Sequence, residues 1–180
     1  MEEENPVKEF LFEYIKNSEK KFHQLLAQEK SNEIIDEIVS YCYDKIPNQN
    51  KEENLSVLAT GILHYMLTNT MIPSNRKVEC KGIQVDIVIP DLKTLEKDPK
   101  KTLIIYLPKT VNQKSIEENI QKLEKIQPEK HNIWVVLTKE LRLESRSYFV
   151  QKEGNFSNMI FDIANFVNVQ GNNKLKILKI

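Results

Sequence analysis

The sequence predicts an α/β fold, a mixed central sheet flanked by helices behind a helical N-terminal extension. Two observations carry this. Apolar residues recur at helical spacing through the first third of the chain, then alternate or run together from Lys77 onward. Between two of the later apolar runs lies an amphipathic segment, which marks a strand–helix–strand crossover. At 180 residues the chain can bury roughly 70% of its unfolded surface, so it needs no disulfide or metal staple.

The elements follow in order. Phe10, Tyr14, Ile15, Phe22, Leu25 and Leu26 recur at helical spacing with Lys and Glu between them. Ser31 or Asn32 can cap a second helix that carries Ile34, Ile35, Ile38, Val39 and Cys42 on one face. The aromatic residues of these helices, Phe10, Phe12, Tyr14, Tyr41 and Tyr43, read as core, and some are available to a dimer. Pro47-Asn48-Gln49-Asn50 breaks the pattern. A third helix follows with Leu55, Leu58, Ile62, Met66 and Leu67 inward, and Gly61 within it marks a close contact. The predicted division is a helical extension over 1–47 and an α/β domain over 52–180.

Past Pro73 the period becomes two. Lys77–Cys80 is a short strand, Lys81-Gly82 a tight turn, and Ile83–Ile89 a strand with Ile83, Val85, Ile87 and Ile89 on one face and Gln84, Asp86 and Val88 on the other. Pro90-Asp91 and Lys97 to Lys101, with Asp98-Pro99, read as a polar loop. Leu103–Leu107 is apolar throughout, as expected of a strand covered on both faces. Ser115, with Glu118 three residues on, forms a capping box for a helix bearing Ile116, Ile120, Leu123 and Ile126. Ile133–Leu137 is a second buried strand and Arg146–Gln151 an edge strand. A last helix spans about 158–167, and 175–178 reads as a terminal strand or tail. The first three strands should form an antiparallel meander, and the crossover helix should make the third and fourth parallel.

Composition excludes several classes. The 26 basic residues balance the 26 acidic ones, which argues against a histone-like electrostatic binder but leaves room for a local basic face. Four glycines and no phosphate loop make a dinucleotide fold a poor match. Cys42 and Cys80 have no zinc spacing and read as free thiols in a reducing compartment. The acidic start is unlike a secretory leader, and no apolar run reaches membrane-spanning length. The expectation is a cytoplasmic protein without a membrane partner. His23, His64 and His131 are scattered, and His64 reads as a packing or surface residue.

The strand order, with Gly82-Ile83-Gln84-Val85-Asp86-Ile87-Val88-Ile89 followed by Leu103-Ile104-Ile105-Tyr106-Leu107-Pro108-Lys109-Thr110, resembles the PD-(D/E)XK nuclease superfamily over residues 52–138. The resemblance implies a restriction-endonuclease-like fold for the α/β domain. It places Asp86 at the family's metal-binding aspartate and Lys109 at its catalytic lysine. The acidic residue two positions before that lysine is Leu107 here.

That departure matters chemically. Phosphodiester hydrolysis in this family uses Mg²⁺ or Mn²⁺ held by carboxylates, with the lysine stabilising charge at the phosphorus. Leucine offers no ligand. Glu79, Asp91 and Glu53 are the carboxylates available to join Asp86 at a metal, Asp91 spelling Pro-Asp with Pro90. The resemblance therefore implies a nuclease-fold protein with a degenerate site, a nucleic-acid-associated or protein-interaction module with DNA or RNA as partner. The second expectation is an active metal-dependent DNA endonuclease using Asp86, Lys109 and a displaced carboxylate. The third is an α/β assembly protein with no nucleic-acid role.

Overall fold

The computed structural model describes residues 5–177. Three helices come first, α1 (Pro6–Ala27), α2 (Ser31–Tyr43) and α3 (Lys51–Asn69). Asn5 caps α1, its Oδ1 accepting the Val7 N–H at 2.9 Å, and Pro6 at the first helical position sacrifices no hydrogen bond. The N-cap of α2 is Lys30, without a side-chain bond, so Ser31 is the first helical residue instead of the cap. A Cβ on Gly61 would stand 2.5 Å from Leu11 Cδ2. The expected close contact is α1 lying against α3.

The sheet has five strands in the order β1-β2-β3-β4-β5. β1 (Asn75–Cys80), β2 (Ile83–Ile89) and β3 (Leu103–Tyr106) form the predicted antiparallel meander. Lys81 (φ 50°) and Gly82 (φ 77°) make the tight turn between the first two, with both central residues left-handed as such hairpins require. Helix α5 (Gln113–Glu124) crosses over, and β4 (Ile133–Leu137) pairs parallel to β3. β5 (Arg146–Phe149) is the parallel edge strand. The connection from β4 to β5 carries no helix, and its Leu141 and Leu143 pack over Ile116, Ile120, Val135 and Leu137.

Four expectations are corrected. The segment after Pro90 is not a loop: Asp91 caps a short helix, α4 (Leu92–Lys97), by accepting the Thr94 N–H at 2.7 Å, and a 3-10 turn follows over Pro99–Lys101. Leu92 and Leu95 tie α4 to the sheet, too few residues for a period to be legible. Asn112, not Ser115, caps α5: its Oδ1 accepts the Ser115 N–H at 2.9 Å. The last helix, α6, spans Met159–Ile177, so 175–177 are helical, while Leu178 lies outside the described residues. Phe12 and Tyr41 are 59% and 41% exposed, so the early aromatics are not all core.

The core is layered. Helices α1, α2, α3 and α6 lie on one side of the sheet, and Phe22, Ile35, Ile62, Met159 and Ile163 share one buried cluster with Ile87, Ile89, Ile105 and Val136, α1 packing on α2 and α3. Helices α4 and α5 cover the other face, over Val88, Ile104 and Ile133. The predicted single apolar face of β2 holds for Ile87 and Ile89 only, because Ile83 and Val85 pack with Cys80 and Leu95 on the second face. The change falls at Asp86. The neighbouring strand is irregular there: Lys77 has φ 49°, between the ladder pairs Arg76–Ile87 and Val78–Val85. Cys42 and Cys80 are free and buried, and burial pushes the Cys42 thiol up to about 11.

Candidate functional site

Asp86 and Lys109 come together where β3 ends. Ile87 of β2 pairs with Ile105 of β3, so the next step of the ladder sets Asp86 against Tyr106. One residue later the chain leaves the strand, and the Leu107 N–H donates to Asp86 Oδ2 at 2.8 Å. The carboxylate thus takes the place of a strand partner at the end of β3. Pro108 follows, and Lys109 is exposed.

Burial raises the Asp86 carboxyl above its ordinary value. The Leu107 N–H, Lys109 and Lys77 act in the opposite direction and do not fully offset it. Both ammonium groups are near enough to act on the carboxylate, yet none of the ion pairs among the described residues involves Asp86. Tyr106 is raised too, by burial first and also by the charge of Asp86, which opposes a phenolate. Asn119 of α5 donates to the Tyr106 hydroxyl at 3.0 Å. The site is a half-buried carboxylate, a phenol and an exposed ammonium at the carboxyl end of a strand.

The motif spacing puts Leu107 beside Asp86, on the same side as Lys109. The register does otherwise. Leu107 is 6% exposed and packs in the larger core with Ile105, whereas Tyr106 faces α5. Side chains alternate along a strand, so the residue opposite Asp86 is Tyr106. Spacing counts residues and cannot show that the strand ends at Tyr106.

The other candidate carboxylates are placed elsewhere. Glu79 is exposed on the edge strand β1 and accepts a bond from Gln84 Nε2 at 2.8 Å. Asp91 is occupied as the cap of α4. Glu53 is exposed in the first turn of α3. Among the described residues no three His, Cys, Asp or Glu side chains gather as a metal would need. The local donor set does not fit Mg²⁺ or Mn²⁺: it offers one carboxylate, with one oxygen committed to Leu107, beside a phenol and an ammonium. His64 is half-buried on α3, and burial with Arg76 pushes its imidazole down. No helix of the described residues is long and apolar enough to cross a membrane.

Comparison with known proteins gives no match to any family model, any curated protein or any solved structure.

Proposed function

We propose that the chain is a nuclease-fold protein of the PD-(D/E)XK type with a degenerate site, and that it acts as a nucleic-acid-associated module without cleaving its partner. The observation that carries this reading is the meeting of Asp86 and Lys109 at the end of β3 with Tyr106, not a second carboxylate, in register with the aspartate. The helix, meander and crossover run in the order that the resemblance implies. Hydrolysis needs a metal to activate water and to offset charge on the leaving oxygen, and the donor set lacks the ligands for one. Binding needs less. Lys109, Lys139 and Arg142 are exposed in the loops that leave the carboxyl ends of β3 and β4, the side of an open α/β sheet where ligands bind. Ammonium and guanidinium groups there can pair with phosphates.

The test combines cleavage and binding. With millimolar Mg²⁺ or Mn²⁺, duplex, single-stranded and branched DNA should remain intact. Leu107→Glu should not create cleavage, because that side chain enters the core. DNA binding should weaken steeply with salt, and Lys109→Ala should reduce the log–log slope by about one. Metal-dependent cleavage that disappears in Asp86→Ala would establish the active endonuclease instead. Absence of any salt-dependent binding would leave the assembly protein.

A further inference from the structure

A second site lies at the other end of the sheet, around the start of β4 and β5. There a cleft of about 620 Å³ is lined by Trp134, Glu144, Arg146, Asp162, Asn165 and Phe166. Its floor is a stack. Trp134 is only 4% exposed, its indole N–H donates to the His131 carbonyl at 3.0 Å, and Phe166 meets it edge-on at 6.4 Å. The Arg146 guanidinium lies over that ring, 4.5 Å from its centroid, while its side chain remains 50% exposed. The Tyr148 ring also approaches this guanidinium, at 5.4 Å, so Arg146 rests against two rings and keeps half of its side chain exposed to the cleft.

The charge of Arg146 is already matched. Its Nη2 is 2.8 Å from Asp162 Oδ2, which also accepts the Tyr148 hydroxyl at 2.7 Å. A guanidinium neutralised in this way and backed by two rings offers its exposed part as a weakly hydrated plane more than as a free cation. Stacking on arginine planes is a sequence-tolerant way to hold unpaired bases. The cleft also contains Glu144, whose carboxylate is in none of the hydrogen bonds or ion pairs among the described residues. That carboxylate is exposed beside the guanidinium and suits a base whose amino group projects from the ring, whereas uracil offers its one N3–H between two carbonyl oxygens that a carboxylate repels.

We propose that this cleft binds one unpaired nucleobase bearing an exocyclic amino group, stacked on Arg146 with its amine donated to Glu144. The inference deepens the nucleic-acid reading and rests on it. It directs that reading toward single strands and adds a contact remote from Lys109.

Trp134 is the only tryptophan of the chain, so its emission reports on the cleft directly. The full chain would be titrated with oligo(A), oligo(C) and oligo(U) hexanucleotides and with free adenosine. Oligo(A) and oligo(C) should produce a saturable change, with oligo(U) roughly tenfold weaker or more. Arg146→Lys keeps the charge but loses the plane, and should weaken oligo(A) by roughly tenfold or more. Glu144→Ala should erase the preference over oligo(U). Equal binding of oligo(A) and oligo(U) by the wild type would overturn the assignment. So would unchanged oligo(A) affinity in both variants, and if Lys109→Ala then loses that affinity the nucleic-acid reading survives without the cleft. A response to adenosine alone, abolished in Arg146→Lys, would keep the base site and overturn the nucleic-acid reading.

Discussion

At Asp86 local preference and observed structure disagree. Aspartate is disfavoured within strands, and this one also carries a raised pKa because burial outweighs the Leu107 N–H and two lysines. The consequence for stability has a definite sign. Between the ordinary carboxylate value and the higher folded value, the native state binds more protons than the unfolded state. Stability therefore falls as pH rises through that window, and the loss is complete above it. Asp86→Asn keeps an acceptor for the Leu107 N–H and removes the buried charge. At neutral pH the variant should melt higher than wild type, by roughly 2–4 °C for each kcal/mol recovered at this chain length, and the difference should close as pH falls toward about 4. Melting curves from about pH 4 to about pH 8 check this. A lower midpoint for the variant at neutral pH would mean that Lys77 and Lys109 stabilise the carboxylate more than burial opposes it. The sequence made Asp86 and Lys109 legible because a polar residue in an apolar strand and a lysine after one are local facts. It did not disclose Tyr106 as the partner of Asp86, because pairing register is set across strands.

At the scale of elements, strength of pattern decided what could be read. Ile133–Leu137 is a strand with the expected bounds because an apolar run of that length has few other uses. The start of α5 was misplaced at Ser115, a residue of capping type, because the choice of Asn112 depends on how the chain leaves β3. The edge of β5 shows a device with no signature in hydrophobicity. The Asn155 side chain donates to the Ser147 carbonyl at 3.0 Å and accepts the Phe149 N–H at 2.7 Å, occupying ladder positions on a strand whose edge would otherwise be open. Gly154 lets the chain come close enough for this, since a Cβ there would stand 2.1 Å from the Phe149 carbonyl oxygen. Gly154→Ala must displace that turn and withdraw Asn155 from the edge. The expected cost is about 1–3 kcal/mol, as for other forced overpacking, with increased self-association on heating. Thermal unfolding with light scattering tests it. A midpoint within about one degree of wild type would show that the turn can relax.

For the molecule as a whole, the break at Pro47 is a break in the chain and not in the core. Phe22 of α1, Ile35 and Ile38 of α2 and Met66 of α3 belong to the same buried cluster as Ile89, Ile105, Trp134 and Val136 of the sheet. Tyr14 and Tyr41 stack at 3.9 Å across α1 and α2, and Lys152, beyond β5, pairs with Asp44 at the end of α2 at 2.6 Å. Sequence periodicity identifies which side of each helix is apolar, but not which neighbour that side meets, so the sharing of one core was not legible in advance. It has a thermodynamic consequence. Elements that bury one another's surface lose that burial together, so the helices and the strands that share this cluster should unfold in one transition. Two probes separate the alternatives. Far-UV circular dichroism is dominated by the long helices, three of which precede the sheet, while Trp134 emission reports on β4. Their denaturant transitions should coincide in midpoint and slope. Helical signal lost at lower denaturant than the Trp134 signal would show the extension to be a separate folding unit. Coincidence would mean that the helices before Pro47 are structural members of the fold, and that shortening the chain at that break would remove two of the four helices on that side of the sheet.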